Sequence, residues 1–388
     1  MRIIRGAGVT ETVGTGWRAI IGSSTIMSLA LIGDALLYAV LPVYADQFGL
    51  TVPWVGVMLS ANRFVRVFAY GAIARITQAV GVRRMCIIAA CTATLSTALY
   101  GFGQGPIVFL SARILWGLTY AVLVLATLSY ATEFRTGVGA RVGVGQAIQR
   151  VGPILALLGG AWLVGAVGPN TAFAILALPT ALSILVAFTL PKGKSATTRR
   201  RGSSSLARPK PIDILFFVQG YGVDGVFAIS ITLILARDVP LSQAVMGGGA
   251  LLAMRHFSEA IAAPLFGIFA DYFGARRVFV LATALTTVGF VCVALGLTIL
   301  GAVVMLLFRG ALASLGPAII TEAISADDDV IGPLARMQAW RDFGAACGPL
   351  VTGFLLASFS AELLHGAVAI ALAAGLFYWI MDARKASV

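Results

Sequence analysis

Long apolar runs separated by short breaks of glycine, proline and charge fill nearly the whole chain. The runs lie near 18–46, 54–78, 82–103, 106–131, 140–165 and 170–190, then 212–236, 243–270, 277–298, 299–323, 333–358 and 362–382. An α-helix needs about 20 mainly apolar residues to cross the hydrocarbon core of a bilayer, and these runs are of that length. The pattern predicts an all-α membrane protein with twelve transmembrane helices.

Composition narrows the class further. Of 388 residues, 59% are hydrophobic and 11% are charged, against about 25% charged in an ordinary soluble domain. Such a chain has too little polar surface to fold in water. Cys86, Cys91, Cys292 and Cys347 lie inside apolar runs without a CxxC pair, so neither disulfides nor a zinc site is expected and the four read as small buried hydrophobes. His256 and His365 are too few and too far apart for a metal or haem site. The basic N-terminus is followed by an apolar run long enough to span and shows no small-residue cleavage site, so no removable signal peptide is expected.

Charge sets the expected orientation. With the N-terminus inside, the inner segments carry Arg2, Arg5, Arg18, Arg75, Arg83, Arg84, Arg135, Arg141, Arg276, Arg277, Arg336, Arg384, Lys385 and the basic stretch 191–211, whereas the outer loops carry only Arg237. The positive-inside rule then places both termini and the middle loop in the cytoplasm of a multi-pass protein of the inner (plasma) membrane. The formal net charge of +12 reports topology and contact with anionic lipid heads, not nucleic acid. Rich in Ser, Gly and Pro, the stretch 191–211 reads as a flexible linker between bundles at 1–190 and 212–388.

The two bundles repeat each other at an offset of about 190 residues. Asp34 matches Asp224, LSANRF at 59–64 matches LLAMRH at 251–256, and Gly81-x-Arg83-Arg84 matches Gly274-x-Arg276-Arg277. Gln146-Ala147 and Gly152 match Gln338-Ala339 and Gly344.

These features resemble the major facilitator superfamily over essentially the whole chain. The run Gly267-Ile-Phe-Ala-Asp271-Tyr-Phe-Gly274-Ala-Arg276-Arg277 fits that family's G-x-x-x-D-x-x-G-x-R-R loop between the second and third helices of a half. The first-half counterpart, from Gly71 to Arg84, is degenerate: Arg75 stands where Asp is expected and three residues are inserted. Arg113-Ile-Leu-Trp-Gly117 is similar to the fourth-helix R-x-x-x-G motif. Gly152-Pro153 with Gly159-Gly160, and Gly344 with Gly348-Pro349 and Gly353, are similar to the Gly-Pro motif of the twelve-helix drug/proton antiporter branch. The resemblance implies gating roles for Gly267, Asp271, Gly274, Arg276, Arg277, Arg113, Gly152, Pro153, Gly348 and Pro349. Small residues at such spacing also let helices approach closely in lipid, which is packing without gating.

Ionisable side chains inside the membrane are costly, about 2.5–3.5 kcal/mol each on insertion scales, and mark partners or wet cavities. Seven arginines, Arg63, Arg66, Arg113, Arg150, Arg255, Arg309 and Arg341, face four acids, Asp34, Asp224, Glu259 and Asp342. Structural ion pairs are expected between Asp34 and Arg63 or Arg66, and between Asp224 and Arg255; Arg113 and Arg309 could partly snorkel. The polar stripes predict substrate contacts from Arg63, Arg66, Gln146, Gln149, Arg150, Arg255, Gln338, Trp340 and Arg341 in a cavity shared by both halves. Proton coupling falls to Asp34, Asp224, Glu259 and Asp342.

No Walker loop, catalytic triad, HExxH or cofactor fingerprint occurs, so the chain reads as a gradient-driven carrier and not an enzyme, with no cofactor. The arginine excess favours a solute bearing carboxylate or phosphate. The preferred reading is a monomeric exporter of a small amphipathic, carboxylate-bearing compound such as a metallophore or acidic drug; the alternative is a proton-coupled importer of an organic anion.

Overall fold

In the computed structural model, residues 7–50, 52–134, 136–192, 208–235, 237, 241–324, 330–356 and 358–385 are described. Most of the expected linker, 193–207, lies outside them. The described residues contain no strand and form twelve long helices. In the first half these are α1 (Ala7–Tyr44), α2 (Val52–Val80), α3 (Val82–Phe102), α4 (Gly105–Thr132), α5 (Val138–Val167) and α6 (Pro169–Thr189). In the second half α7 begins as Pro211–Gly220 and continues as Tyr221–Phe227 and Ala228–Leu235. It is followed by α8 (Leu241–Phe273), α9 (Ala275–Ala294), α10 (Thr298–Glu322), α11 (Ile331–Leu355) and α12 (Ala361–Lys385).

The boundaries follow local chemistry. Proline opens α6 and α7, where its missing N–H would be unpaired in any case. Helix α1 starts eleven residues before the expected position, because nothing between Ala7 and Arg18 breaks the backbone ladder; its apolar window is Gly16–Tyr38. The breaks between α2 and α3 and between α8 and α9 are single glycines, Gly81 at φ 95° and Gly274 at φ 88°, a conformation that a Cβ would strain. Counting back three residues from each glycine matches Asp271 with Gln78, so the first-half loop needs no insertion and Arg75 is not the counterpart of Asp271.

Nine helices are apolar and long enough to span by composition over the described residues. The other three are α2, α8 and α11, which carry Arg63 and Arg66, Arg255 and Glu259, and Arg341 and Asp342. Charge that makes a span less apolar is therefore concentrated on three helices, all of which meet the interface between the halves.

Each half packs in the same way. In the first, α1 lies on α5, α2 on α4, and α3 on α4 and α6; in the second, α7 lies on α11, α8 on α10, and α9 on α10 and α12. Glycines set the closest crossings. A Cβ on Gly152 of α5 would strike the Ser28 carbonyl of α1, and the Gly152 N–H donates to Ser28 Oγ at 2.8 Å. At the matching crossing, Gly344 of α11 meets the Phe217 carbonyl of α7, and further along the same pair Gly225 meets Gly348. Away from the interface, Phe48, Phe109, Phe173 and Tyr100 interlock with ring centroids 5.0–6.1 Å apart, filling the core of the first bundle.

Two helices are locally underwound into π geometry: α5 at Ala156–Gly160, just after Pro153, and α7 at Tyr221–Phe227, around Asp224. Such bulges reorient side chains and recur at functional sites. The cysteines depart in part from expectation, since Cys86 is buried whereas Cys91 is exposed.

Candidate functional site

The halves meet along two seams, α5 against α8 and α2 against α11. Toward the end that carries the Gly81 and Gly274 breaks, the α5–α8 seam is backbone on backbone: Gly139 crosses Gly267 and Gly143 crosses Ala263. Asp271 completes this closure, its carboxylate accepting the N–H groups of Gly139 at 3.2 Å and Ala140 at 2.9 Å. An acid there satisfies free donors and complements the positive end of the α5 dipole. Beside it, Arg141 is held by the carbonyls of Ala131, Phe134 and Thr136, which fixes the end of α4 to the start of α5.

Past these crossings the helices enclose a chamber of about 490 Å³ lined from both halves. Its charged wall comprises Asp34, Arg63, Arg66, Arg150, Asp224, Arg255, Glu259, Arg309, Arg341 and Asp342, with His256 among them. Leu31, Ala35, Leu157 and Ala313 supply an apolar side. The expected convergence of buried arginines and acids on one shared space is therefore present.

The pairing differs from expectation in the first half. Asp34 pairs with Arg113 of α4, not with Arg63 or Arg66. Arg113 does not snorkel: it is fully buried, donating from Nε to the Met58 carbonyl at 2.7 Å and from Nη2 to Tyr38 Oη at 3.2 Å. Tyr38 and a free carbonyl were invisible to an argument from charges alone. Arg66 instead crosses the interface to Asp342 of α11 at 3.0 Å, its guanidinium carbon 4.1 Å from the centre of the Tyr120 ring. Asp342 Oδ2 also accepts from the Tyr70 hydroxyl at 2.8 Å. Arg63 donates to the Ala345 carbonyl of α11 at 2.9 Å.

In the second half Asp224 does pair with Arg255, and Arg309, likewise not snorkelling, reaches the same carboxylate at 3.4 Å. Glu259 pairs with Arg309 and, across the interface, with Arg150 at 2.6 Å. Arg341 lies 3.6 Å from Asp342.

Three expected substrate contacts are elsewhere. Gln149 turns with Val142 and Leu128 toward a void of about 10 Å³ between α1, α4 and α5. Gln338 is buried off the chamber wall. Trp340 packs edge-on against Phe217 and Phe343. Helical spacing gave these residues the right element but not the right face. Gln146 does line the chamber, together with Tyr38, Asn62, Tyr120 and Gln219, which sequence reasoning missed because neutral polar residues on apolar helices carry little signal.

Of the expected gating residues, Gly267 and Asp271 form the closure, Pro153 lines the chamber ahead of the α5 bulge, and Gly152 and Gly348 make the tight crossings within each half. Pro349 sits inside α11. Arg276 lies over the Trp379 ring at 5.5 Å, and Arg277 is exposed beside Gly274. Arg336, expected on the inner side, is near the start of α11 and pairs with buried Asp213 at 2.5 Å.

Two six-helix bundles of one pattern, closed on each other at one end around a charged chamber, define a membrane carrier that works by secondary transport. The family model described as Major Facilitator Superfamily matches residues 24–254 and 212–388, and the chain belongs to that family. No curated protein matches significantly. Among solved structures, the human organic anion transporter MFSD10 (TETRAN) superposes with a TM-score of 0.75 at 14% identity, over 93% of this chain and 99% of that one. The E. coli fucose:proton symporter FucP gives 0.72 at 14% identity, over 94% and 98%. The proton:xylose symporter XylE bound to 6-bromo-6-deoxy-D-glucose gives 0.71 at 13% identity, over 95% of each chain.

Proposed function

We propose that this carrier exports a small amphipathic organic anion, carboxylate-bearing as in a metallophore or acidic drug, by alternating access across the inner membrane. The observation that carries the reading is the charge balance of the chamber. Six arginines line it against four acids, and one of those acids, Asp34, is taken by Arg113 behind the wall, leaving three positive charges in excess. Arginine's fork of donors suits carboxylate and phosphate, and the apolar side of the chamber suits an organic body of drug size. The human organic anion transporter among the structural neighbours supports the same solute class.

Export fits the energetics. A negative-inside potential drives an anion outward with about 2.3 kcal/mol per charge per 100 mV, so little proton coupling is required. If the basic end faces the cytoplasm, closure there by Asp271, Gly139 and Gly267 corresponds to an outward-facing state. The Gly-Pro motifs favour the antiporter branch. The carrier works as a monomer, each chain holding its own chamber. A second reading, proton-coupled import of an organic anion, draws support from the two proton symporters of the same fold. In it Asp34, Asp224, Glu259 or Asp342 carries the proton.

Flux in proteoliposomes separates the readings. Export predicts outward anion movement that follows an imposed potential even without a pH gradient; import predicts accumulation that follows the proton gradient. Arg66→Ala and Arg150→Ala each lower flux at least tenfold while the protein still folds. Normal transport by both variants rejects the anion assignment.

A further inference from the structure

Glu259 does not belong to the repeated scaffold. In the register that matches Arg255 with Arg63, 192 residues earlier, the counterpart of Glu259 is Val67. The acid that both halves share is the one on α1 and α7, Asp34 and Asp224. Yet Glu259, only 3% exposed, collects arginines from three helices. Arg309 of α10 pairs with Oε1, Arg150 of α5 approaches Oε2 at 2.6 Å, and Arg255, one turn earlier on α8, stands 3.6 Å from Oε1. Arg150 belongs to the other half, so the cluster forms only where the halves meet.

The donors around this carboxylate are not all used. Arg150 Nε and Arg255 Nε, on two of the guanidinium groups that meet Glu259, are buried without a hydrogen-bond partner among the described residues. Buried polar atoms left unfilled mark a place where a polar ligand completes the set. A compact carboxylate with converging arginines and spare donors beside it has the shape of an anion site with an occupant supplied by the protein.

We propose that Glu259 is a built-in occupant of the anion site, holding Arg150, Arg255 and Arg309 in the empty carrier and giving them up to the anionic head of the solute. The proposal rests on the anion reading of the chamber and adds to it a location and a competitor. The solute class follows: an organic anion with one compact carboxylate, phosphate or sulfonate head, able to replace a side-chain carboxylate on two or three guanidinium groups. Asp224, which pairs with Arg255 and Arg309 as well, leaves these two guanidinium groups partly balanced when Glu259 releases them.

The test is equilibrium binding of benzoate, phenyl phosphate and benzenesulfonate to the purified full chain in nanodiscs, measured by titration calorimetry. Glu259→Gln, which removes the competing charge, binds at least one of these probes tenfold or more tighter than the unaltered protein, and adding Arg150→Gln removes the gain. Glu259→Val, which installs the residue of the first half, gives the same gain and covers the case in which glutamine does not fold. Unaltered protein that binds the probes, with variants that bind no tighter, overturns the occupant proposal alone. Failure of every form to bind any anion overturns the chamber's anion reading as well. Unfolding of both Glu259 variants while Arg150→Gln folds makes Glu259 a structural tie and also overturns the proposal.

Discussion

The two seams between the halves occupy matching positions but carry opposite polarity. At the α5–α8 seam the cation Arg150 comes from the first half and the acid Glu259 from the second. Under the repeat, Arg150 of α5 corresponds to Asp342 of α11, and at the α2–α11 seam Asp342 meets Arg66 of the first half. The first half therefore presents cations at both seams and the second half acids. Two identical halves would place like charges at matching positions and repel one another at short range. The comparison teaches that duplication supplied the geometry, whereas divergence in charge made the halves complementary and let them close in one register.

A second contrast lies within each half. Asp34 reaches the chamber wall but pairs with Arg113 alone, a fully buried arginine behind the wall that also donates to the Met58 carbonyl and Tyr38. Their counterparts Asp224 and Arg309 stand on the chamber wall and share partners with Arg255 and Glu259. The exclusive pair is scaffold; the shared cluster has alternatives and can exchange.

The largest effect is expected where the exclusive pair is broken. Arg113→Ala strands Asp34 in the bundle and destabilises the protein by about 3–5 kcal/mol, whereas Arg309→Ala leaves Asp224 with Arg255 and Glu259 with Arg150 and loses less. Thermal unfolding of the two variants in the same detergent reads the difference, and equal losses would erase the contrast between exclusive and shared pairing. Next comes packing. Gly152→Val drives a side chain into the Ser28 carbonyl and destabilises by about 1–3 kcal/mol, while Gly159→Ala, which meets nothing within 4 Å, leaves the melting temperature within a degree or two.

A double-mutant cycle on Arg150→Gln and Glu259→Gln sharpens the polarity argument. A coupling of about 0.5–3 kcal/mol is expected for charged groups in contact across the seam, and additive effects would show that the pair does not hold the halves. The smallest effect belongs to the closure. Asp271→Asn keeps an acceptor but removes the charge at the start of α5, which is worth about 0.3–1 kcal/mol. It should shift the carrier away from the closed basic end, read as faster amide hydrogen–deuterium labelling of the α8 segment Ala263–Gly267 that faces α5 across the closure. Unchanged labelling would assign Asp271 to local capping only.

Much of this was legible in the chain. Apolar run length gave the helix count, because the bilayer demands about 20 apolar residues per span regardless of neighbours. The repeat and the Gly267–Arg277 motif gave the architecture, and the rarity of charge in lipid singled out the residues that line the chamber. The faces of Gln149, Gln338 and Trp340 were not legible, since a helix that is apolar nearly all round fixes no unique orientation from spacing alone.

By itself the sequence determined the solvent, the twelve spans, the twofold repeat and the set of buried charges, each a consequence of local composition. Only the tertiary structure decided who pairs with whom. Asp34 is held by Arg113 and not by the nearer-in-sequence Arg63, and Glu259 gathers arginines from three helices in two halves. Ion pairing depends on distances of a few ångströms between helices far apart in the chain, and helix packing alone sets those distances.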